Sequence, residues 1–218
     1  MNKIYTVIIF MLAIFLTGCF NESENPAQFM YEHLEEAVAI EVELGEKQAP
    51  LTEAENMEYE LYEEMLTLSE LSEIEELAQQ AIESAESRRE LMVEEKEIID
   101  AAYEEFALAK AFIDDIEDEE IKQQADEMVS AMENRYEAYN ELYNKYVETI
   151  DIDIELYSMV FQEELTVDEL QAQHDIVNEA YNEINEFNDM FNQYTTAFND
   201  AKRDFYEAAE LDVVFDAN

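Results

Sequence analysis

The last third of the chain places an apolar residue at every seventh position: Leu170, Val177, Ile184, Phe191, Phe198 and Phe205. Three residues on runs a companion seam, Gln173, Ala180, Phe187, Tyr194, Ala201 and Ala208, apolar in five of six positions. This 3-4 alternation is that of a helix packed in a bundle. Thr166 followed by Glu169 forms a capping-box pattern, in which each side chain satisfies the other residue's free amide. The pattern predicts one helix over 167–211.

Two further series lie upstream. Val129, Tyr136, Tyr143, Ile150 and Tyr157 are spaced by seven and joined on one side by Met128, Met132, Tyr139, Leu142, Tyr146 and Leu156. Before them Ala78, Ala85, Met92, Ile99, Phe106 and Ile113 form an unbroken series, flanked by Leu77, Leu91, Ile98 and Phe112, that stops near "DDIEDEE" at 114–120. Ser72 with Glu75 is a second capping-box pattern and predicts a helix start near Glu73, with an earlier helix ending near Leu68. That earlier segment is less regular. It carries Phe29, Leu34, Ala37 and Val38, then Leu51, Ala54, Met57, Leu61, Met65 and Leu68, interrupted by Gly45 and by Pro50, which kinks it or opens a second piece.

The predicted fold is therefore all-α, an elongated antiparallel up-and-down four-helix bundle with segments roughly 65 Å long at 1.5 Å per residue. A repeat of seven implies left-handed supercoiling with crossings near +20°. The alternative is a three-helix, spectrin-like rod in which the turn near 68–72 or the one near 114–119 is continuous helix, since neither contains Gly or Pro. Composition agrees with helix. Two glycines and two prolines in 218 residues cannot supply the turns of a β-rich fold, and 48% hydrophobic with 31% charged residues is a globular balance.

Charge narrows the partners. Eleven Lys and Arg stand against 57 Asp and Glu, a formal charge of −46. Loss of residues 1–18 would remove one of the eleven, Lys3, and no acid, leaving −47. Such a surface cannot neutralise phosphates, so nucleic acid is excluded, as is adsorption of the folded body to an anionic bilayer. Cations and basic partners suit it, as does an exterior of high pH or high salt.

The N-terminus has the layout of an export signal: Lys3, an apolar stretch over 4–16, then Leu16, Thr17 and Gly18 before Cys19, the single cysteine. The apolar stretch is too short for a membrane span of about twenty residues. Leu16-Thr17-Gly18-Cys19 resembles the lipobox of bacterial lipoproteins. That resemblance implies signal-peptidase recognition of Leu16, Thr17 and Gly18, cleavage before Cys19, and a covalent diacylglycerol on the Cys19 sulfur. Two acyl chains, at about 0.8 kcal/mol per buried CH₂, anchor durably where one binds marginally. The domain plan is a signal peptide at 1–18, lipidated Cys19 and an acidic tether at 19–26, and one helical-bundle domain at 27–218.

Catalytic material is sparse. His33 and His174 are too few for a multi-histidine site, and Met30 and Gln171 stand where an E-x-x-H di-iron motif needs Glu, so both histidines are assigned to the surface and no metal centre is predicted. "DIDIE" at 151–155 alternates acids as calcium loops do but lacks the glycine turn. Two stripes remain. Asn178, Asn185, Asn192 and Asn199 repeat every seven residues, although Asn is a poor helix former. They form either a ligand-facing amide ladder or, the favoured reading, a half-buried flank whose amides meet neighbouring helices. Tyr136, Tyr139, Tyr143 and Tyr146 could stack on glycan rings, but fit better as core residues with hydroxyls reaching outward. Arg135 falls on a seam and is expected to pair with a carboxylate such as Glu95.

Four stretches, "KQAPLTEAE" (47–55), "RYEAYNELYNKY" (135–146), "ELYSMV" (155–160) and "FNQYTTAFNDAKRDFY" (191–206), together with the lipobox, resemble the YkyA-like family of Gram-positive bacteria, lipoproteins to which cell-wall binding is attributed. The resemblance implies a helical bundle on the outer face of the cytoplasmic membrane, and no established reaction. The expected role is non-enzymatic and structural or binding, by a monomer held by its lipid anchor, with cell-wall polymer, directly or through bridging cations, as partner. The alternatives are a glycan-active enzyme using a carboxylate pair, and an electrostatic binder or chaperone for basic exported proteins or cations. No cofactor is expected beyond the diacylglycerol on Cys19.

Overall fold

The computed structural model describes residues 25–211, so Leu16, Thr17, Gly18 and Cys19 lie outside the described residues. Apart from its turns the described chain is helical: α1 (Pro26–Glu41), α2 (Gly45–Met65), α3 (Leu71–Ala109), α4 (Glu119–Met159) and α5 (Val167–Ala208). Among the described residues there is no strand, and no helix is long and apolar enough to cross a membrane.

The first two helices form one rod. Between them, Val42–Leu44 tightens into a single 3₁₀ turn, and the backbone stays in the right-handed helical region through Glu41, Val42, Leu44 and Gly45. Pro50 lies inside α2, and the break comes one turn upstream of Glu46, whose carbonyl the proline ring deprives of its amide partner. Gly45 is not demanded by the backbone there, and a β-carbon at that position would meet nothing within 4 Å.

The other turns separate four rods, which removes the three-helix alternative. The chain becomes extended at Glu70 and at Ile116, so neither turn is continuous helix. At the second, Asp118 caps α4 by accepting from the amides of Glu120 and Ile121 at 2.9 and 3.2 Å. At the first, α3 starts two residues before the expected Glu73: the Glu70 carbonyl accepts from Glu73 and Ile74, and Ser72 sits inside the first turn rather than capping it. The Thr166–Glu169 box is present in full. The C-terminal helix stops at Ala208, three residues short of the expected end. A Schellman closure ends it, with Leu211 N–H on Tyr206 O and Glu210 N–H on Glu207 O, and this forces Glu210 to a φ of 51°. At the other terminus α1 opens at Pro26, one residue before the expected body, under an Asn25 cap.

Close packing joins the α1–α2 rod to α3, α3 to α4, and α4 to α5. Rods of about forty residues are roughly 60 Å long. One end of the bundle gathers the start of α1, the turn from α3 to α4 and the end of α5; the other gathers the turns at 66–70 and 160–166. Two cores follow from this. Near the first end Met30, Leu34, Phe106, Met128, Phe198 and Phe205 form an apolar cluster. Near the second, Tyr62, Met65, Ala78, Ala81, Ala85, Ile150, Leu156 and Tyr157 pack together around small residues. All six members of the Ala78-to-Ile113 series are buried, as the heptad requires.

Candidate functional site

The fourth seam of the bundle, between the first rod and α5, is closed by side chains rather than by close backbone approach. Near the first end Tyr31 packs edge-on against Tyr206, whose hydroxyl donates to Glu35 at 2.8 Å. Near the second end the seam opens into a cleft of about 400 Å³ between α2 and α5, floored by α4. Leu156, Tyr157 and Tyr62 give it an apolar base, Val177 and Tyr181 one wall, and the exposed ring of Tyr59 the other. Four carboxylates line it, Glu55, Glu58 and Glu63 from α2 and Asp153 from α4.

Beneath it lies a buried ionic cluster. Arg88 of α3 is 0% exposed, and Glu58 and Asp153 are each 2% exposed. Arg88 Nη2 donates to Asp153 Oδ2 at 2.5 Å and lies 3.0 Å from Glu58 Oε2, while Nη1 donates to the Tyr181 hydroxyl at 3.0 Å. Tyr181 in turn donates to Asp153 at 2.9 Å, and Ser84 and Tyr157 each donate to Glu58 at 3.2 Å. The Tyr146 ring covers the guanidinium, and its hydroxyl hydrogen-bonds Glu55. Arg88 Nε is buried without a partner.

Two carboxylates sharing one cation cannot both be fully compensated. Burial pushes Glu58 up to about 7, with Arg88 pulling against it and Asp153 adding to it. Burial also raises Asp153, which Arg88 and its hydrogen bonds hold back. Burial disfavours the Arg88 cation too, but the oxygens of Tyr181, Tyr146, Glu58 and Asp153 outweigh it and keep Arg88 charged. At one end of the cleft the Tyr62 hydroxyl and His174 Nε2 share a 2.6 Å hydrogen bond, and burial lifts the phenol to about 12.

The residues singled out in the sequence fall in several places. Asn178 reaches the rim of this cleft, while Asn185, Asn192 and Asn199 continue down the exposed face of α5. None of the four is half-buried against a neighbour. Each follows its seam residue by one position, about 100° round the helix, which turns it outward. Both histidines are half-buried rather than on the open surface: His33 shares a 2.6 Å contact with Glu105 and stacks on Phe112, and His174 bonds Tyr62. Arg135 pairs bidentately with Glu41, at 2.7 and 2.9 Å, and not with Glu95. Glu95 instead accepts from Tyr139 at 3.1 Å. Three of the four tyrosine hydroxyls therefore point to carboxylates on other rods, Tyr136 to Asp100 and Tyr139 to Glu95 on α3 and Tyr146 across the bundle to Glu55 on α2, not outward. The acids of 151–155 lie within α4, and among the described residues no group of three or more His, Cys, Asp or Glu is arranged to hold a metal ion.

Sequence reasoning missed Arg88, Glu58 and Asp153, although each stands on a seam. Arg88 comes three residues after Ala85, Glu58 lies midway between Leu51 and Met65, and Asp153 comes three after Ile150.

The comparisons with known proteins agree with the fold. The model of a family described as "YkyA: Putative cell-wall binding lipoprotein" matches residues 25–208. An uncharacterized lipoprotein YkyA of Bacillus subtilis (strain 168) is 32% identical over 200 residues, covering 91% of this chain and 89% of its own. A conserved protein of unknown function from Staphylococcus aureus, known from a 1.6 Å crystal structure, superposes with a TM-score of 0.76 at 13% identity, over 82% of this chain and 91% of the other. The last likeness is one of fold alone.

Proposed function

The chain belongs to the YkyA family, and from that premise we propose that it is a lipoprotein held on the outer face of the cytoplasmic membrane by diacylglycerol on Cys19, with a non-catalytic role in binding cell-wall material. One observation supports the reading: the cleft lies at the end of the rod opposite to the one at which the described chain begins, at Asn25. The described chain enters the bundle at Asn25, six residues after Cys19, beside the turn from α3 to α4. From Glu119 at that turn to Asp153 under the cleft, α4 rises about 50 Å at 1.5 Å per residue. A body anchored at Cys19 would thus present the cleft away from the bilayer, toward the wall.

The expected outcome is that the purified protein cosediments with purified sacculi, with or without millimolar calcium. Absence from the pellet in both conditions overturns wall binding. Membrane retention of a Cys19→Ala variant overturns the lipid anchor.

A second reading, hydrolysis of wall glycan by Glu58 and Asp153, draws on their convergence at a cleft and on the raised Glu58. It has a geometric obstacle. Glycosidase carboxyls stand roughly 5 to 9 Å apart with the sugar between them, whereas here both meet on one nitrogen of Arg88. Release of muropeptides by the purified protein, abolished in Glu58→Gln, would establish the enzyme reading in place of the binding one.

A further inference from the structure

We propose that the cleft between α2 and α5 is a binding site for a primary ammonium on an apolar stem, of the kind a lysine side chain presents. The inference rests on the reading of this cleft as the binding end and names the ligand's chemistry.

Charge sets the sign of the ligand. Four carboxylates line the cleft, and the cation beneath them, Arg88, is fully buried and already shared between Glu58 and Asp153. With all four ionised the cleft and its base carry a net −3. No lysine or arginine lines the opening. Nor can one be borrowed from nearby: all ten lysines and arginines among the described residues have a carboxylate within 4.0 Å. A phosphate or carboxylate ligand would therefore enter an uncompensated negative field, while a cation would be drawn in.

Shape and lining set its class. The carboxylates are not gathered into a metal cage, and none of them belongs to a cluster suited to a metal ion. What surrounds them is aromatic and aliphatic. Tyr59, Tyr62, Tyr157 and Tyr181 present ring surface, which attracts an ammonium through the negative face of the π-system. Leu156 and Val177 offer apolar contact for methylene groups that a bare inorganic cation lacks. About 400 Å³ accommodates one such side chain with part of its backbone. Glu63 and Tyr59 stand at the mouth, Tyr59 being 65% exposed, so neither is needed to hold the bundle together.

Saturation-transfer NMR tests this on the lipidated protein in non-ionic detergent. The probes are an end-blocked Ala-Lys-Ala peptide and its norleucine counterpart, which keeps the stem and loses the charge. The lysine peptide is expected to bind with at least tenfold preference over the norleucine peptide. Glu63→Gln and Tyr59→Ala are each expected to weaken it at least threefold while leaving the helical circular dichroism unchanged. Equal binding of the two peptides overturns the proposal in favour of a merely apolar cleft. Lysine-peptide binding that is indifferent to both variants overturns it in favour of diffuse attraction to the acidic surface, and so does binding abolished at 0.5 M salt, where exposed charges are screened. If sacculi retain the protein but the lysine peptide does not bind, the ligand class alone is wrong. If the peptide binds and sacculi do not retain the protein, the amine site stands and wall binding is wrong.

Discussion

The two ends of this bundle are stabilised by different physics. The end at which α1 begins is filled by Met30, Leu34, Phe106, Met128, Phe198 and Phe205, a core whose stabilisation comes from apolar surface removed from water, roughly 1.5–3 kcal/mol per large side chain. The opposite end is built around alanines at Ala78, Ala81 and Ala85, and the space these leave is occupied by Arg88 and its ring of oxygens. A buried ion cluster adds little net stability compared with well-packed hydrophobic residues, but it is costly to break. The apolar end supplies the stability, and the ionic end holds a buried, pH-responsive cluster beneath the cleft.

The largest expected effect separates these two kinds of core directly. Phe106→Ala should cost about 3–5 kcal/mol by opening a cavity. Arg88→Met should cost a similar amount, about 3–5 kcal/mol, at pH 8, by leaving Glu58 and Asp153 buried without their cation. Urea unfolding at pH 8 and pH 5 distinguishes them: the Arg88 variant recovers much of its loss at pH 5, where the carboxyls take up protons, and the Phe106 variant does not. Equal pH response in the two would erase the contrast.

A smaller effect isolates Glu58. Its folded pKa of about 7 lies above the unfolded value near 4.5, so its contribution is fully present below pH 4.5 and is lost as pH rises through 7. The raised Glu95 and Asp153 act in the same direction. Glu58→Gln should therefore flatten the fall in stability between pH 4.5 and pH 7 by roughly 3 kcal/mol. Parallel stability–pH curves for variant and parent would show that Glu58 is not the titrating group. The smallest effect falls on the apolar end. Glu210 holds a left-handed conformation that glycine adopts without strain, so Glu210→Gly should stabilise by about 1 kcal/mol, independently of pH, with slower hydrogen exchange in the last turn of α5.

The apolar end was the more legible in the sequence because its information is one-dimensional. Phe198 and Phe205 mark the buried face of α5 there at the fixed spacing of seven, and Phe106 does the same for α3. Ion pairs between rods depend on which residues of separate rods lie at the same height. Arg135 meets Glu41, 94 residues away, and not Glu95, because the axial stagger of α1 against α4 puts Glu41 level with it. Glu58 and Asp153 were hidden for another reason. In a chain with 57 acidic residues a carboxylate on a seam looks like one more solvated charge, and only the buried guanidinium of Arg88 on a third rod distinguishes it. The second seam of α3 does carry the clue, reading Ala81, Arg88, Glu95, Ala102, Ala109, with two opposite charges where apolar residues belong.

The joint at Val42–Leu44 acquires a mechanical meaning from its position. It lies midway along the rod that begins at Pro26 and supplies Glu58, Tyr59 and Tyr62 to the cleft. If the chain is anchored at its N-terminus and holds a ligand in the cleft, as proposed above, a pull between the two would travel lengthwise through this rod, crossing the joint, and would load its contacts with the other rods in shear. Glu41 held by Arg135 just before the joint, and Lys47 paired with Glu94 just after it, tie the rod to α4 and to α3 on either side of the place where the α-helical hydrogen bonding is interrupted.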